Sequence, residues 1–289
     1  MKHLKKLGAL TLALALTLSL AACSGGTGNA ATPAPESAAP SPQSAAPAPE
    51  SAAPAGELAT VEAGKLHMST NAAFPPYEMI ADDGSFEGID VEVAGAIAAK
   101  LGLELVVDDM GFDAALLAAQ NGQSDIVMAG VTVTAERQAV MDFSDSYANG
   151  VQVIIVKEDS PIATVDDLAN ADKIGTQRGT TGYLYCSDTP DNGGYGEEHV
   201  TAFDTGATAI QALLNGQVDA VVIDNMPAQE FVKANAGLKI LDTEFSNEDY
   251  AIGMAKGNTA LLEAVNNALQ ELTADGTLQS IVDKYITAG

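Results

Sequence analysis

Two distant stretches of this chain repeat one another. Residues 116–130 read LLAAQNGQSDIVMAG and residues 210–224 read IQALLNGQVDAVVID. Each is an apolar helical run, an Asn-Gly-Gln stop, an Asp and then an apolar strand. Asn121, Gly122, Gln123 and Asp125 match Asn215, Gly216, Gln217 and Asp219. Asn-Gly halts a helix because both residues tolerate the left-handed conformation that closes its last turn. The repeat has two readings. Helix–turn–strand units share a local grammar, or the chain holds two similar α/β lobes. On the second reading Gly130 and Asp224 occupy one equivalent place, at the C-terminal end of a strand. Open α/β sheets bind ligands there, and two lobes presenting such ends to each other make a cleft.

The rest of the pattern is consistent with an α/β class. Strand-like and helix-like segments alternate, which predicts largely parallel strands. Strands are expected at 66–70, 103–107, 125–129, 151–156, 173–176, 220–223 and 238–241. Asp90 is expected to cap a helix carrying Val93, Ile97 and Leu101 on one face, and Asp113 to cap a second ending at Asn121-Gly122. Thr134 starts a short helix, and helices at 259–272 and 278–286 close the chain.

The first 57 residues read as address and tether. Lys2, Lys5 and Lys6 precede an apolar run at 7–22 that is short for a membrane span. Small residues before a cut mark a secretory signal. Leu20-Ala21-Ala22-Cys23 resembles a bacterial lipobox, which implies a signal peptide at 1–22 and lipidation of Cys23. Residues 23–57 are mostly Ala, Pro, Ser and Gly, with Ala-Pro-Glu-Ser-Ala-Ala-Pro written at 34–40 and again at 48–54. Such a segment lacks the apolar bulk to offset ordering entropy and is expected to be a semi-extended spacer. A lipid on it would anchor the protein to the cell membrane on the extracytoplasmic side. With Cys23 so used, Cys186 has no intramolecular partner and is expected to be a half-buried apolar residue. A net charge of −26 argues against a phosphate-backbone partner such as nucleic acid. His67 and His199 form no metal-ligand spacing, and no cofactor is expected.

The expected lips of the cleft suit a zwitterion. Arg137 can hold a carboxylate bidentately, with Thr132 and the N–H of Thr181 as further donors. Asp224 and the carbonyl of Gly130 can accept from an ammonium. Phe74 and Phe112 can enclose an aliphatic side chain, and Asn71 and Gln177 can read its polar end. Each has a plainer reading. Arg137 can pair with Glu136 or Asp142 on the surface, the two Phe can be core, and Asp224 can cap the turn before Pro227.

Several stretches together resemble the polar amino-acid family of bacterial extracellular solute-binding proteins, the receptors of ABC importers. They are Asn71-Ala-Ala-Phe-Pro-Pro-Tyr-Glu78, Gly88-Ile-Asp-Val91, Ala129-Gly-Val-Thr-Val-Thr-Ala-Glu-Arg137, Asp142-Phe-Ser-Asp145, Asp219-Ala-Val-Val-Ile-Asp224 and Ala274-Asp-Gly-Thr277. The resemblance covers 65–285. It implies a two-lobed, type II periplasmic-binding-protein-like fold with two crossover hinge strands. Lobe 1 would be 58–151 plus 246–289, lobe 2 would be 152–245, and the hinges would lie near 147–151 and 246–250. It also implies a monomer that hands a free amino acid to a membrane permease without catalysis. By the same resemblance Arg137, Thr132 and Thr181 hold the α-carboxylate, Asp224 and Gly130 the α-ammonium, and Phe74 and Phe112 the side chain. The family often has Asp where this chain has Asn71, which argues against a fixed preference for a cationic side chain. The alternatives are a catalytic relative on this scaffold, like the cyclohexadienyl dehydratases, and a sensor module docking on a membrane receptor. A catalyst needs an acid or base at the reacting centre, and the matched positions offer no extra Glu or His. The loop at 188–198 reads as an insertion without an assigned role.

Overall fold

The computed structural model describes residues 58–286; the expected leader, Cys23 and the tether lie outside them. The chain opens with β1 (Lys65–Thr70), then a small antiparallel sheet of β2 (Ala73–Phe74), β3 (Glu78–Ile80) and β4 (Phe86–Glu87). Next come α1 (Ile89–Leu101), β5 (Glu104–Asp109), α2 (Phe112–Gln120), β6 (Ile126–Val127) and α3 (Ala135–Val140). A 17-residue strand, β7 (Met141–Lys157), leads out of this half. The second half holds β8 (Ile174–Gln177), α4 (Thr181–Ser187), β9 (Val200–Phe203), α5 (Gly206–Leu214), β10 (Ala220–Asp224), α6 (Asn225–Ala234) and β11 (Leu238–Ile240). Strand β12 (Ser246–Ala255) returns antiparallel to β7, and α7 (Thr259–Ala274) and α8 (Thr277–Tyr285) complete the order.

The main sheet runs β5-β1-β6-β12-β7-β10-β8-β9, with β11 beside β7. From its middle outward each half repeats one succession: a connecting strand, then the third, first and second strands of a βαβαβ unit. β1 pairs in parallel with β5 and β6, and β8 with β9 and β10. The connecting strands β12 and β7 pair antiparallel with β6 and β10. The sequence repeat is therefore an architectural one. Asn121 and Asn215 end α2 and α5, and Gly122 and Gly216 sit at φ 67° and 69°. The Asp after each turn donates its N–H to a carbonyl near the start of that half's first strand, Asp125 to His67 and Asp219 to Lys173.

The end of strand β7 shows why residues 153–156 read as an unbroken apolar run. Successive side chains point to opposite faces. Val153 and Ile155 enter the core with α5, while Ile154 and Val156 enter another with Leu168 and Cys186. A strand covered on both faces reads as a continuous hydrophobic run. In the first half α1 lays Val93 and Ile97 against Leu66 and Met68 of β1, and Leu261, Val265 and Leu269 of α7 join the same core. Full burial of each such side chain stabilises the fold by about 1.5–3 kcal/mol.

Two expected caps are not caps. Helix α1 begins at Ile89, after Gly88 at φ 128°, and α2 begins at Phe112, after Gly111. A side chain at Gly88 would stand 2.2 Å from the Tyr77 carbonyl, so the chain enters the helix there only through glycine. Asp90 and Asp113 fall in the first turns instead, where a negative charge suits the helix dipole. Strand β6 is shorter than expected and β7 much longer. Strand β9 is half-buried throughout, which is why its residues show no clear alternation. Cys186 is fully buried rather than half-buried. The loop at 188–198 folds back over it: Tyr195 donates its N–H to the Cys186 carbonyl and packs on the same core.

Candidate functional site

A narrow cleft lies where the strand ends of the two halves face each other. All nine residues singled out from the sequence line it: Asn71, Phe74, Phe112, Gly130, Thr132, Arg137, Gln177, Thr181 and Asp224. They arrive from the loops after β1 and β6, from β2, from the ends of β8 and β10, and from the first turns of α2, α3 and α4.

Thr134 caps α3 by accepting the Arg137 N–H at 3.2 Å, and this turn aims the Arg137 side chain inward. The guanidinium is buried. Its Nη1 donates to the Thr132 carbonyl at 2.8 Å, its Nη2 to the Gly179 carbonyl on the opposite wall at 3.1 Å, and it stands 5.5 Å above the Phe112 ring. Among the described residues it makes no ion pair. Asp142, its alternative partner, is paired with Lys256. Burial lowers the Arg137 pKa, and the Glu248 carboxylate nearby opposes that shift.

Across the cleft Asp224 is 1 % exposed. Its Oδ1 caps α6 through the Met226 N–H at 2.9 Å, and the residue also lines the cleft. Its Oδ2 accepts the Val151 N–H at 2.9 Å and the Tyr250 hydroxyl at 3.0 Å. Burial pushes the carboxyl up to about 6, against the pull of these three donors.

Gly130, at φ 55°, donates its N–H to Asp90 Oδ2 at 2.9 Å. A side chain there would meet the Phe74 ring at 2.9 Å, so glycine lets the aromatic wall approach the backbone. Asp90 also accepts the Tyr147 hydroxyl at 2.7 Å, and burial pushes it up to about 6.

Three expected roles are reshaped by the geometry. The Thr132 hydroxyl donates to Glu248 Oε2 at 2.8 Å, so its proton is committed to the protein. The backbone N–H of Thr132 and that of Thr181 are the groups with no protein acceptor among the described residues. Asn71 and Gln177 bond each other across the cleft, Nε2 of Gln177 donating to Oδ1 of Asn71 at 2.9 Å. Asn71 further donates to the Met110 carbonyl at 2.9 Å.

The cleft also holds residues the sequence did not point to, among them Glu78, Gln152, Thr180 and Tyr250. Glu78 corrects the view that no further acid is present. It is fully buried and faces the Asp90 carboxyl. Burial first, then the Asp90 charge, holds it well above the usual carboxylate range. Glu78 ends the Pro-Pro-Tyr-Glu run, and that Glu next to a strand end was the available signal. Gln152 and Tyr250 lie inside long strands and carry no local mark.

The family described as bacterial extracellular solute-binding proteins, family 3, matches residues 66–288. A probable histidine-binding protein of Neisseria gonorrhoeae is 32% identical over 226 residues, 77% of this chain and 83% of that protein. The L-cystine-binding protein TcyJ of Escherichia coli K12 is 32% identical over 230 residues, 78% of this chain and 84% of that protein. A solved structure of an ancestral arginine-binding protein bound to glutamine has a TM-score of 0.72 at 39% identity, covering 78% of this chain and all of that one. The fold is thus that of the type II periplasmic amino-acid-binding proteins, two-lobed with two crossover strands. The chain belongs to family 3 of the bacterial extracellular solute-binding proteins.

Proposed function

We propose that this protein is the extracytoplasmic receptor of an ABC amino-acid importer. It binds one free, polar L-amino acid between lobes 58–151 plus 246–289 and 152–245, and delivers it as a monomer to a membrane permease. Cys23 carries the lipid and 23–57 is the spacer; that part of the reading rests on sequence alone. The observation that carries the binding role is the pair on opposite walls: a buried Arg137 without a carboxylate partner among the described residues, and a buried Asp224.

A zwitterion complements both. Its carboxylate takes the guanidinium and the N–H groups of Thr132 and Thr181; its ammonium takes Asp224 and the Gly130 carbonyl. Phe74 and Phe112 flank the side chain. A polar end must exchange with the Asn71–Gln177 bond, which favours side chains carrying both donors and acceptors. A ligand that touches both lobes binds the closed form better than the open one, and that difference drives closure about the crossover strands. The names of the relatives, which include histidine, cystine and arginine binders, support the ligand class. Micromolar affinity corresponds to about −8 kcal/mol, within reach of two charge-assisted ends and aromatic enclosure. A thermal-shift screen of the purified full-length protein against the common L-amino acids and L-cystine tests this. One or a few should raise the melting temperature in a concentration-dependent way; a flat screen sinks the proposal.

A further inference from the structure

Asp224 is fastened from both strands that join the halves of the sheet. The Val151 N–H on β7 and the Tyr250 hydroxyl on β12 converge on the same oxygen, Oδ2, at 2.9 and 3.0 Å. Tyr250 is 1 % exposed, so its hydroxyl has no water to turn to. Its ring is wedged in place. It meets the Tyr77 ring edge-on at 5.5 Å, and a side chain at Gly150, on β7, would come within 2.3 Å of it. On the first wall the same ring lies 3.3 Å from where a Gly130 side chain would begin. One tyrosine thus touches both connecting strands and both strand-end positions of the cleft.

We infer that Tyr250 is a positioning residue: wedged between the crossover strands, it aims the Asp224 carboxylate and ties that aim to the bend of β7 and β12. The inference rests on the reading of Asp224 as the ammonium acceptor. A carboxylate on one rotatable stem can turn its oxygens; two donors from two strands fix Oδ2 and leave the remaining lone pairs a set direction. Bending the strands moves those donors, so the acceptor is correctly aimed in one hinge geometry. The hydroxyl also favours the ionised form, since it donates to it.

The test is calorimetry on the full-length protein with its tightest binder among the common L-amino acids and L-cystine, from pH 4.5 to 8. Tyr250→Phe keeps the ring and its packing, so the melting temperature should stay near that of the parent. Its affinity at pH 7.5 should fall by roughly tenfold, the size of one hydrogen bond to a charged group. The acid limb of its affinity should also move to higher pH, because Asp224 loses a donor that favours its charged form. Simple loss of packing would not move that limb. Glu78, Glu248 and Tyr77 also face Asp224; all three are unchanged in Tyr250→Phe, so the difference between its limb and the parent's isolates the Tyr250 hydroxyl. Gly150→Ala, which displaces the ring, should act in the same direction and add little to Tyr250→Phe. Unchanged affinity and limb in Tyr250→Phe, with binding lost in Asp224→Asn, would overturn the inference. Binding retained in Asp224→Asn would overturn the ammonium reading beneath it. If Tyr250→Phe does not fold, unchanged affinity and limb in Gly150→Ala overturn the inference.

Discussion

In the first half of the sheet β6 gives way to Gly130; in the second, its counterpart β10 stops at Asp224. Everything leading to these positions is shared. Each is preceded by a helix closed on Asn-Gly, a Gln, and an Asp whose carboxylate takes two backbone N–H groups. Asp125 takes those of Val61 and His67, both at 2.7 Å. Asp219 takes those of Asp172 and Lys173, at 2.8 and 3.1 Å. Within this helix–turn–strand unit the halves part at the last residue and in the segment after it. The first half removes a side chain, lets Phe74 close on the backbone, and brings in a cation through Arg137's helix. The second half leaves a carboxylate in place. A repeated frame fixes where a ligand can sit, and single residues at its ends decide the charge it meets.

The two halves contrast most sharply in charge. Arg137→Ala should weaken ligand binding by about 2–5 kcal/mol, much of it the penalty of a buried carboxylate left unpaired; calorimetry showing full affinity would remove the first half from the site. In the second half the group that would meet the ligand itself should make binding sensitive to acid. Arg137 stays charged across the working range, whereas Asp224 has its carboxyl raised to about 6. Binding favours the ionised form, so affinity should be flat above pH 7 and fall as pH drops through 6, approaching about tenfold per unit. An affinity independent of pH down to 5 would contradict this.

Smaller effects test whether the frames are equal. Asp125 is buried and Asp219 exposed. Asp125→Ala should cost about 1–3 kcal/mol by denying two part-buried N–H groups an acceptor. At Asp219 water can substitute, so the loss in urea unfolding should be clearly smaller. Equal losses would show that burial does not separate the two. Gly122→Ala and Gly216→Ala should each cost about 1 kcal/mol, since both hold a left-handed turn with no clash beyond the backbone itself. Neither should alter affinity.

The α/β class, the repeat and nine cleft residues were legible because they sit at boundaries, where a strand's apolar run meets glycine, threonine or a charge. No local residue pattern marked the crossovers, which only the family resemblance implied. β7 and β12 pair residues far apart in the chain, such as Gln152 with Ser246 and Ala148 with Tyr250, and no local pattern announces that Gln152, Glu248 and Tyr250 meet. Asp90 misled for a different reason. An Asp before a helical apolar face is a good cap, but the helix starts directly after Gly88, and the carboxylate is drawn inward to Gly130 and Tyr147. Local propensity gave way to a tertiary hydrogen bond.

The sealed thiol of Cys186 has a practical consequence. Its surroundings push it up to about 12, so at neutral pH almost none of it is thiolate, the form that reacts. A maleimide reagent should therefore read nothing from Cys186 while the second core and its covering loop stay shut. The rate at which label accumulates becomes a clock for how often that region opens, native to the molecule and needing no engineered probe.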